Sequence, residues 1–230
     1  PVTIGGSTTG QRNVISGNAR AGIQATSGGH SILGNYIGTD ATGMLDKGNG
    51  GTGVRLVNSA TVVIGGLTAA ERNVISGNNE LGVAIANGSD NVVRGNYIGL
   101  AADGATDLGN TSDGVQISNS GFNVVGGSSA GMRNVISGND LHGLEVAGTG
   151  GTNEIRGNYI GIDAGGTLDR GNASDGIHID ISDGNTIGGA AAADRNVISG
   201  NNGDGIELIN DADNNTIKSN YIGTSADGMA

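Results

Sequence analysis

The sequence predicts an all-β chain wound into a right-handed, three-sheet parallel β-helix, and three observations carry that prediction. The heptapeptide Arg12-Asn13-Val14-Ile15-Ser16-Gly17-Asn18 returns unaltered at 72–78, 133–139 and 195–201, a period of 60, 61 and then 62 residues. Between its copies stands Asn-Tyr-Ile-Gly, at 35–38, 96–99, 158–161 and 220–223. The Gly-aliphatic pairs that begin at Gly22, Gly53, Gly82, Gly114, Gly143, Gly176 and Gly205 halve that period, with spacings of 31, 29, 32, 29, 33 and 29. Repetition near 30 residues marks a solenoid, in which each unit buries its apolar face on the next. Residues 1–230 therefore read as a single array of seven to eight coils, two coils to each 61-residue repeat.

Each coil holds three short apolar-alternating segments separated by Gly or Asn, the pattern of three strands per turn. The inward column of the first segment is Ile4, Ile32, Ile64, Val93, Val125, Ile155, Ile187 and Ile217, all β-branched. The second column is Ile throughout: 15, 37, 75, 98, 136, 160, 198 and 222. The third contributes inward pairs two residues apart, such as Val83/Ile85 and Ile206/Leu208, as a strand with one buried face requires. Each buried Ile contributes about 1.5–3 kcal/mol against exposure, which offsets the cost of ordering a glycine-rich backbone.

Corners are as regular as columns. Asn91, Asn123, Asn153, Asn185 and Asn215 head the first segment, and Asn13, Asn35, Asn73, Asn96, Asn134, Asn158, Asn196 and Asn220 precede the second. Asparagine tolerates left-handed backbone and its amide can pair with the Asn above and below, so ladders are expected. Two kinds of loop alternate, one ending at Arg72, Arg133 and Arg195, the other spanning 39–49, 100–110 and 162–172.

Composition narrows the partners. With 47 Gly, one Pro, one Phe and no Trp, the core must be thin and lined by small aliphatics. Eleven dispersed Lys and Arg against 22 Asp and Glu, a net charge of -11, argue against nucleic acid. No run of 18 apolar residues exists, so no membrane insertion is expected, and no charged-then-apolar leader precedes the first repeat. The absence of Cys excludes a disulfide framework and Cys-ligated zinc.

The Asn-x-Ile-x-Gly-Asn pattern followed by Gly-Ile-x-Leu-like pairs resembles the parallel β-helix repeats of the pectate-lyase-like superfamily. The Arg-Asn-Val-Ile-Ser-Gly-Asn and Gly-Asn-Tyr-Ile-Gly markers resemble repeat tracts of large bacterial secreted and surface proteins. The resemblance spans the whole chain and implies the fold; lyases, hydrolases, epimerases, tailspikes and adhesins all share it. Its enzymes that act on acidic polysaccharides group Asp residues, sometimes around calcium, near a basic residue on one sheet. The hydrolase signatures of the superfamily, an Asp-Asp pair and Gly-His-Gly, are missing, with Leu141-His142-Gly143 the nearest string.

Candidate chemistry lies on the outward column of the third strand, Gln24, Arg55, Ala84, Gln116, Glu145, His178, Glu207, which ends in an acid, a histidine and an acid. Asp180 shares the outward face with His178, and a corner column Asp113, His142, Asp175, Asp204 runs alongside. Imidazole and carboxylate oxygen there can share a proton or hold a divalent ion, with Asp175, His178 and Glu207 the candidate ligands. No basic residue faces the patch, since Arg55 is three coils from Glu145, and a solvated strand of mutually supporting charges is the favoured reading. No cofactor is expected, with calcium the one ion kept open; the Asp-Gly pairs at 103–104 and 227–228 read as turns.

Three surface rows complete the inventory. Arg94, Arg156 and Lys218 face out on alternate coils and read as surface solvation, Glu154 adjoining Arg156. Arg12, Arg72, Arg133 and Arg195 are expected to bind loop carbonyls. Val14, Tyr36, Val74, Tyr97, Val135, Tyr159, Val197 and Tyr221 form an outward apolar stripe, to be covered either by the loops carrying Met44, Leu45, Leu108 and Leu168 or by another molecule.

The function expected from these features is a structural or adhesive solenoid of a secreted or cell-surface fibre, without polysaccharide lyase activity and with a dispensable His178. The unbroken period argues for it, because a cleft ordinarily breaks a repeat. Strands open at both ends of the chain suggest a piece of a longer array, or end-to-end self-association into a filament. The alternative is a carbohydrate-active enzyme, a lyase or epimerase using Glu145, His178, Asp180 and Glu207, or a sugar-binding module.

Overall fold

The inward columns are in register coil by coil. In the computed structural model, which describes residues 1–229, Ile4 pairs with Ile32, Ile32 with Ile64, and so on to Ile187 with Ile217, always in parallel. Strands Thr3–Gly5 to Thr216–Lys218 make an eight-stranded first sheet, and Val14–Ile15 to Tyr221–Ile222 make an eight-stranded second sheet. Strands Ile23–Ala25 to Ile206–Ile209 make a seven-stranded third sheet. The chain is thus a three-sheet parallel β-solenoid. The only helical pieces among the described residues are three-residue 3-10 turns, Thr9–Gln11, Ala130–Met132 and Ala192–Asp194.

The core is one continuous cluster of Ile, Val and Leu, from Ile23 to Ile198, enclosed by the three sheets. Its walls are sealed by amide ladders. From Asn13 through Asn35, Asn73, Asn96, Asn134, Asn158 and Asn196 to Asn220, each Nδ2 donates to the next Oδ1 at 2.9–3.1 Å. Asn91 to Asn215 form the second expected ladder. A third, unexpected one runs Asn18, Asn49, Asn78, Asn110, Asn139, Asn172, Asn201 at 2.8–2.9 Å. The other amide hydrogen goes to backbone carbonyls, as from Asn96 to Ile64 and Arg94, so the buried amides are satisfied.

The apolar stripe of the second sheet is closed by the chain itself. Val74, Val135 and Val197 are only 2–3% exposed, whereas Val14 on the first coil stays 47% exposed. Guanidinium carbons of Arg12, Arg72, Arg133 and Arg195 lie 3.9–4.1 Å over the rings of Tyr36, Tyr97, Tyr159 and Tyr221. Loop glycines complete the cover: a Cβ on Gly104 would stand 2.8 Å from Tyr97 Cζ, so only glycine allows that approach. Of the interface expected at Val14, Tyr36, Val74, Tyr97, Val135, Tyr159, Val197 and Tyr221, the chain itself buries Tyr36, Val74, Val135 and Val197, while Tyr97, Tyr159 and Tyr221 are half-buried and Val14 is exposed.

Three of the Arg row meet the expected backbone carbonyls, Arg12 donating to Gly34 O, Arg72 to Gly95 O and Arg195 to Ser219 O, whereas Nε of Arg133 is buried without a partner. The first-sheet row of Arg94, Arg156 and Lys218 is answered by acids: Glu154 sits 3.0 Å from Arg156. Asp194 is held below the usual carboxylate range by the Ser128 hydroxyl and the Ala191 amide, with Arg156 and Lys218 adding to the effect.

Candidate functional site

Four consecutive strands of the third sheet, Val115–Ser118, Leu144–Ala147, Ile177–Asp180 and Ile206–Ile209, place Gln116, Glu145, His178 and Glu207 side by side. Two residues upstream of each strand-opening aliphatic lie Asp113, His142, Asp175 and Asp204, at the corner where the chain turns into the sheet. The turn is tight because a glycine separates each pair. At Gly176 a Cβ would meet Ile198 Cγ2 at 2.4 Å and Gly205 O at 2.6 Å, so no side chain can push the corner away from the core. Side chains one coil apart are therefore brought within contact distance.

The corner and strand columns interlock. Nδ1 of His142 lies 3.0 Å from Asp175 Oδ2, and Nδ1 of His178 lies 3.4 Å from the same oxygen and 2.8 Å from Glu207 Oε2. The imidazole rings stack, with centroids 4.4 Å apart and planes 20° from parallel. Asp175 is fixed in turn by the Asp204 amide, which donates to Oδ1 at 2.7 Å. The Asp175 amide points at His142 Nδ1 at 3.3 Å, so a protonated Nδ1 serves the carboxylate while a bare one accepts from the amide. Either state of the ring is accommodated in place.

Above this pair, Asp113 accepts the His142 amide at 3.0 Å, and Gln116 Nε2 donates to Glu145. Asp113 is buried, and that burial, reinforced by the neighbouring Glu145 carboxylate, pushes its pKa up to about 7. His142 is lowered, first by burial and then by His178, against the opposing pull of Asp175. Carboxylates and imidazoles with opposed environments are the usual setting for proton transfer near neutrality.

Among the expected residues, Glu145, His178 and Glu207 fall in this cluster and Asp180 does not. Asp180 lies two residues along the strand, about 6.5 Å away by strand geometry, and accepts from Asn210 Nδ2 at 2.7 Å. Of the candidate metal ligands, Asp175 and His178 are joined by His142, because one donor atom from each of these three lies within 4.8 Å of the others, while Glu207 contacts the same His178 nitrogen that faces Asp175. The weight of His142 and Asp113 was understated by the sequence, although both stood in the corner column. Arg55 is confirmed three coils from Glu145, and no Lys or Arg is ion-paired within the cluster among the described residues.

A second hollow, an open groove of about 860 Å³, runs along the corner between the third and first sheets, past Asn58, Asn87, Asn119, Phe122 and Asp183. Phe122, the one Phe of the chain, is 65% exposed on its rim, with its backbone at φ 59°. This groove lies at the opposite end of the strands from the histidines.

No protein-family profile and no curated protein matches the sequence. Among solved structures, the fold is similar to a point mutant of the periplasmic alginate epimerase AlgG, at TM-score 0.58 and 16% identity over 90% of this chain and 44% of that one. The unmutated periplasmic alginate epimerase AlgG follows at TM-score 0.54, with the same identity and coverage. The chain thus spans less than half the length of these epimerase chains. They show the parallel β-helix repeat fold, and they count against the expectation of a structural, adhesive, non-enzymatic solenoid, since both of these structures are of an alginate epimerase. No helix among the described residues is long and apolar enough to cross a membrane.

Proposed function

We propose that the chain is a carbohydrate-active enzyme that moves a proton on a uronic-acid polysaccharide, as an epimerase or a lyase, outside the cytoplasm. One observation carries this reading: two imidazoles and the carboxylates of four consecutive coils converge on one edge of the third sheet, around the 3.0, 3.4 and 2.8 Å contacts of Asp175 and Glu207. The fold shared with periplasmic alginate epimerase structures supports the substrate class and the location.

The hydrogen at C5 of a uronosyl unit is α to a carboxylate, and its removal requires a base at hydrogen-bonding distance. His178 takes that role, its ring oriented by Glu207 and Asp175. Returning a proton to the opposite face of the sugar inverts C5, whereas loss of the 4-linked oxygen gives an unsaturated end. In either case the proton comes from the Asp113–Glu145 pair, of which Asp113 holds its proton up to about pH 7. The regular period is no obstacle, because the backbone repeat is held by inward residues and leaves outward ones free to differ.

The test is product analysis with purified chain on polymannuronate and on pectate. The expected result is a changed uronate composition by proton NMR or ultraviolet-absorbing unsaturated ends, both lost in His178→Ala. No product from either polymer, or equal product from His178→Ala, overturns the reading.

A further inference from the structure

We infer that His142, Asp175 and His178 form a binding site for a divalent metal of the zinc, cobalt and nickel class. The inference concerns residues of the proposed reaction but describes a different state of them: with Nδ1 on a metal the His178 proton sits on Nε2, so the metal-bound ring is not the free base, and the site is tested without substrate.

Three features argue for it. The donor set is two imidazole nitrogens and one carboxylate oxygen, a combination that suits borderline transition metals, whereas calcium takes six to eight oxygens. The donors are near enough for one ion to gather: the two nitrogens lie 3.0 and 3.4 Å from Asp175 Oδ2, and all three donor atoms fall within 4.8 Å of one another, where a tetrahedral shell puts neighbouring donors about 3.3–3.6 Å apart.

The electrostatics ask for a cation. Asp113, Glu145, Asp175, Asp204 and Glu207 crowd two imidazoles, Asp175 is 7% exposed, and the only ion pairs of the patch among the described residues are those of the histidines. Around the donors stand supports of the kind that orient metal ligands: the Asp204 amide on Asp175 Oδ1 and the Asp113 carboxylate on the His142 amide.

The experiment titrates chelator-stripped, untagged chain with Zn²⁺ by calorimetry, with Co²⁺ by visible absorption, and with Ca²⁺ in parallel. One equivalent of Zn²⁺ is expected per chain, with Ca²⁺ at least tenfold weaker. His142→Ala, His178→Ala and Asp175→Asn should each weaken Zn²⁺ at least tenfold, and His30→Ala should leave it unchanged. In wild-type protein, Zn²⁺ should shift the NMR signals of His142 and His178 and spare His30, a readout that needs no variant to fold. Absence of saturable Zn²⁺ binding, a shift confined to His30, or unaltered binding in the His142 and His178 variants overturns the site. An inactive chain that binds one Zn²⁺ refutes the reaction alone, and an active chain that binds none refutes the metal alone.

Discussion

Nδ1 of His178 lies 2.8 Å from Oε2 of Glu207, a contact made between two consecutive coils at the same register of the third sheet. The stacking repeat alone places the two residues opposite one another, and Asp175 closes on the same nitrogen from the corner at 3.4 Å. A solenoid thereby builds a site from residues 29 positions apart without any loop to hold it.

Glu207 positions His178, and Glu207→Gln is predicted to lower kcat about 100-fold through misorientation of the ring, with KM nearly unchanged. Steady-state kinetics on the polymer that gives product separates the two constants. A rise in KM at constant kcat would place Glu207 in substrate binding instead.

Asp113 predicts a pH dependence of stability. Its folded pKa of about 7 exceeds its ordinary 3.8, so the folded state holds the proton more tightly than the unfolded one. Stability from this group is intact at low pH and falls as pH rises from about 4 to about 7, by at most about 4 kcal/mol at 1.36 kcal/mol per unit. Asp113→Asn keeps an oxygen for the His142 amide and removes the charge. In chelator-treated protein it should therefore raise denaturant stability over wild type at pH 8 and lose that advantage near pH 4. Equal gains at both pH values would remove burial of the charge as the cause.

The amide ladders predict a position-dependent cost. Asn96→Ala deletes a buried rung that bonds Asn73, Asn134, Ile64 and Arg94, and is expected to cost about 2–3 kcal/mol or more. Asn18→Ala, at the exposed end of the third ladder, should cost well under half of that. Chemical denaturation of both variants checks the contrast.

Arg72→Leu removes the guanidinium 4.1 Å from the Tyr97 ring and its bond to Gly95 O. A loss of about 1–2 kcal/mol is predicted, with greater tyrosine exposure seen by fluorescence. An unchanged spectrum would show that the loop glycines close the stripe unaided.

What was legible in the sequence follows from the geometry of stacking. The Ile and Val columns, the outward neighbours Glu145, His178 and Glu207, and two of the three Asn ladders were readable because register fixes them. The ladder from Asn18 to Asn201 was hidden, since alternate members close different kinds of loop and so sit in different local sequences. The Val/Tyr stripe could not be assigned an occupant, because whether a loop folds back depends on approaches such as Gly104 on Tyr97. The corner pair His142 and Asp175 was visible as a column, but its contact with His178 depends on the tight turn at Gly176. An unbroken period is no argument against catalysis, because inward and outward faces vary independently.

The most direct test of proton transfer at this site is solvent deuterium incorporation at C5 of polymannuronate in D₂O, read by mass spectrometry after depolymerisation. Wild-type chain is predicted to introduce deuterium if it epimerises or to leave unsaturated ends if it eliminates, and His178→Ala to do either at least about 100-fold more slowly. Neither deuterium nor unsaturated ends with wild type, or the same rate with His178→Ala, would contradict the account.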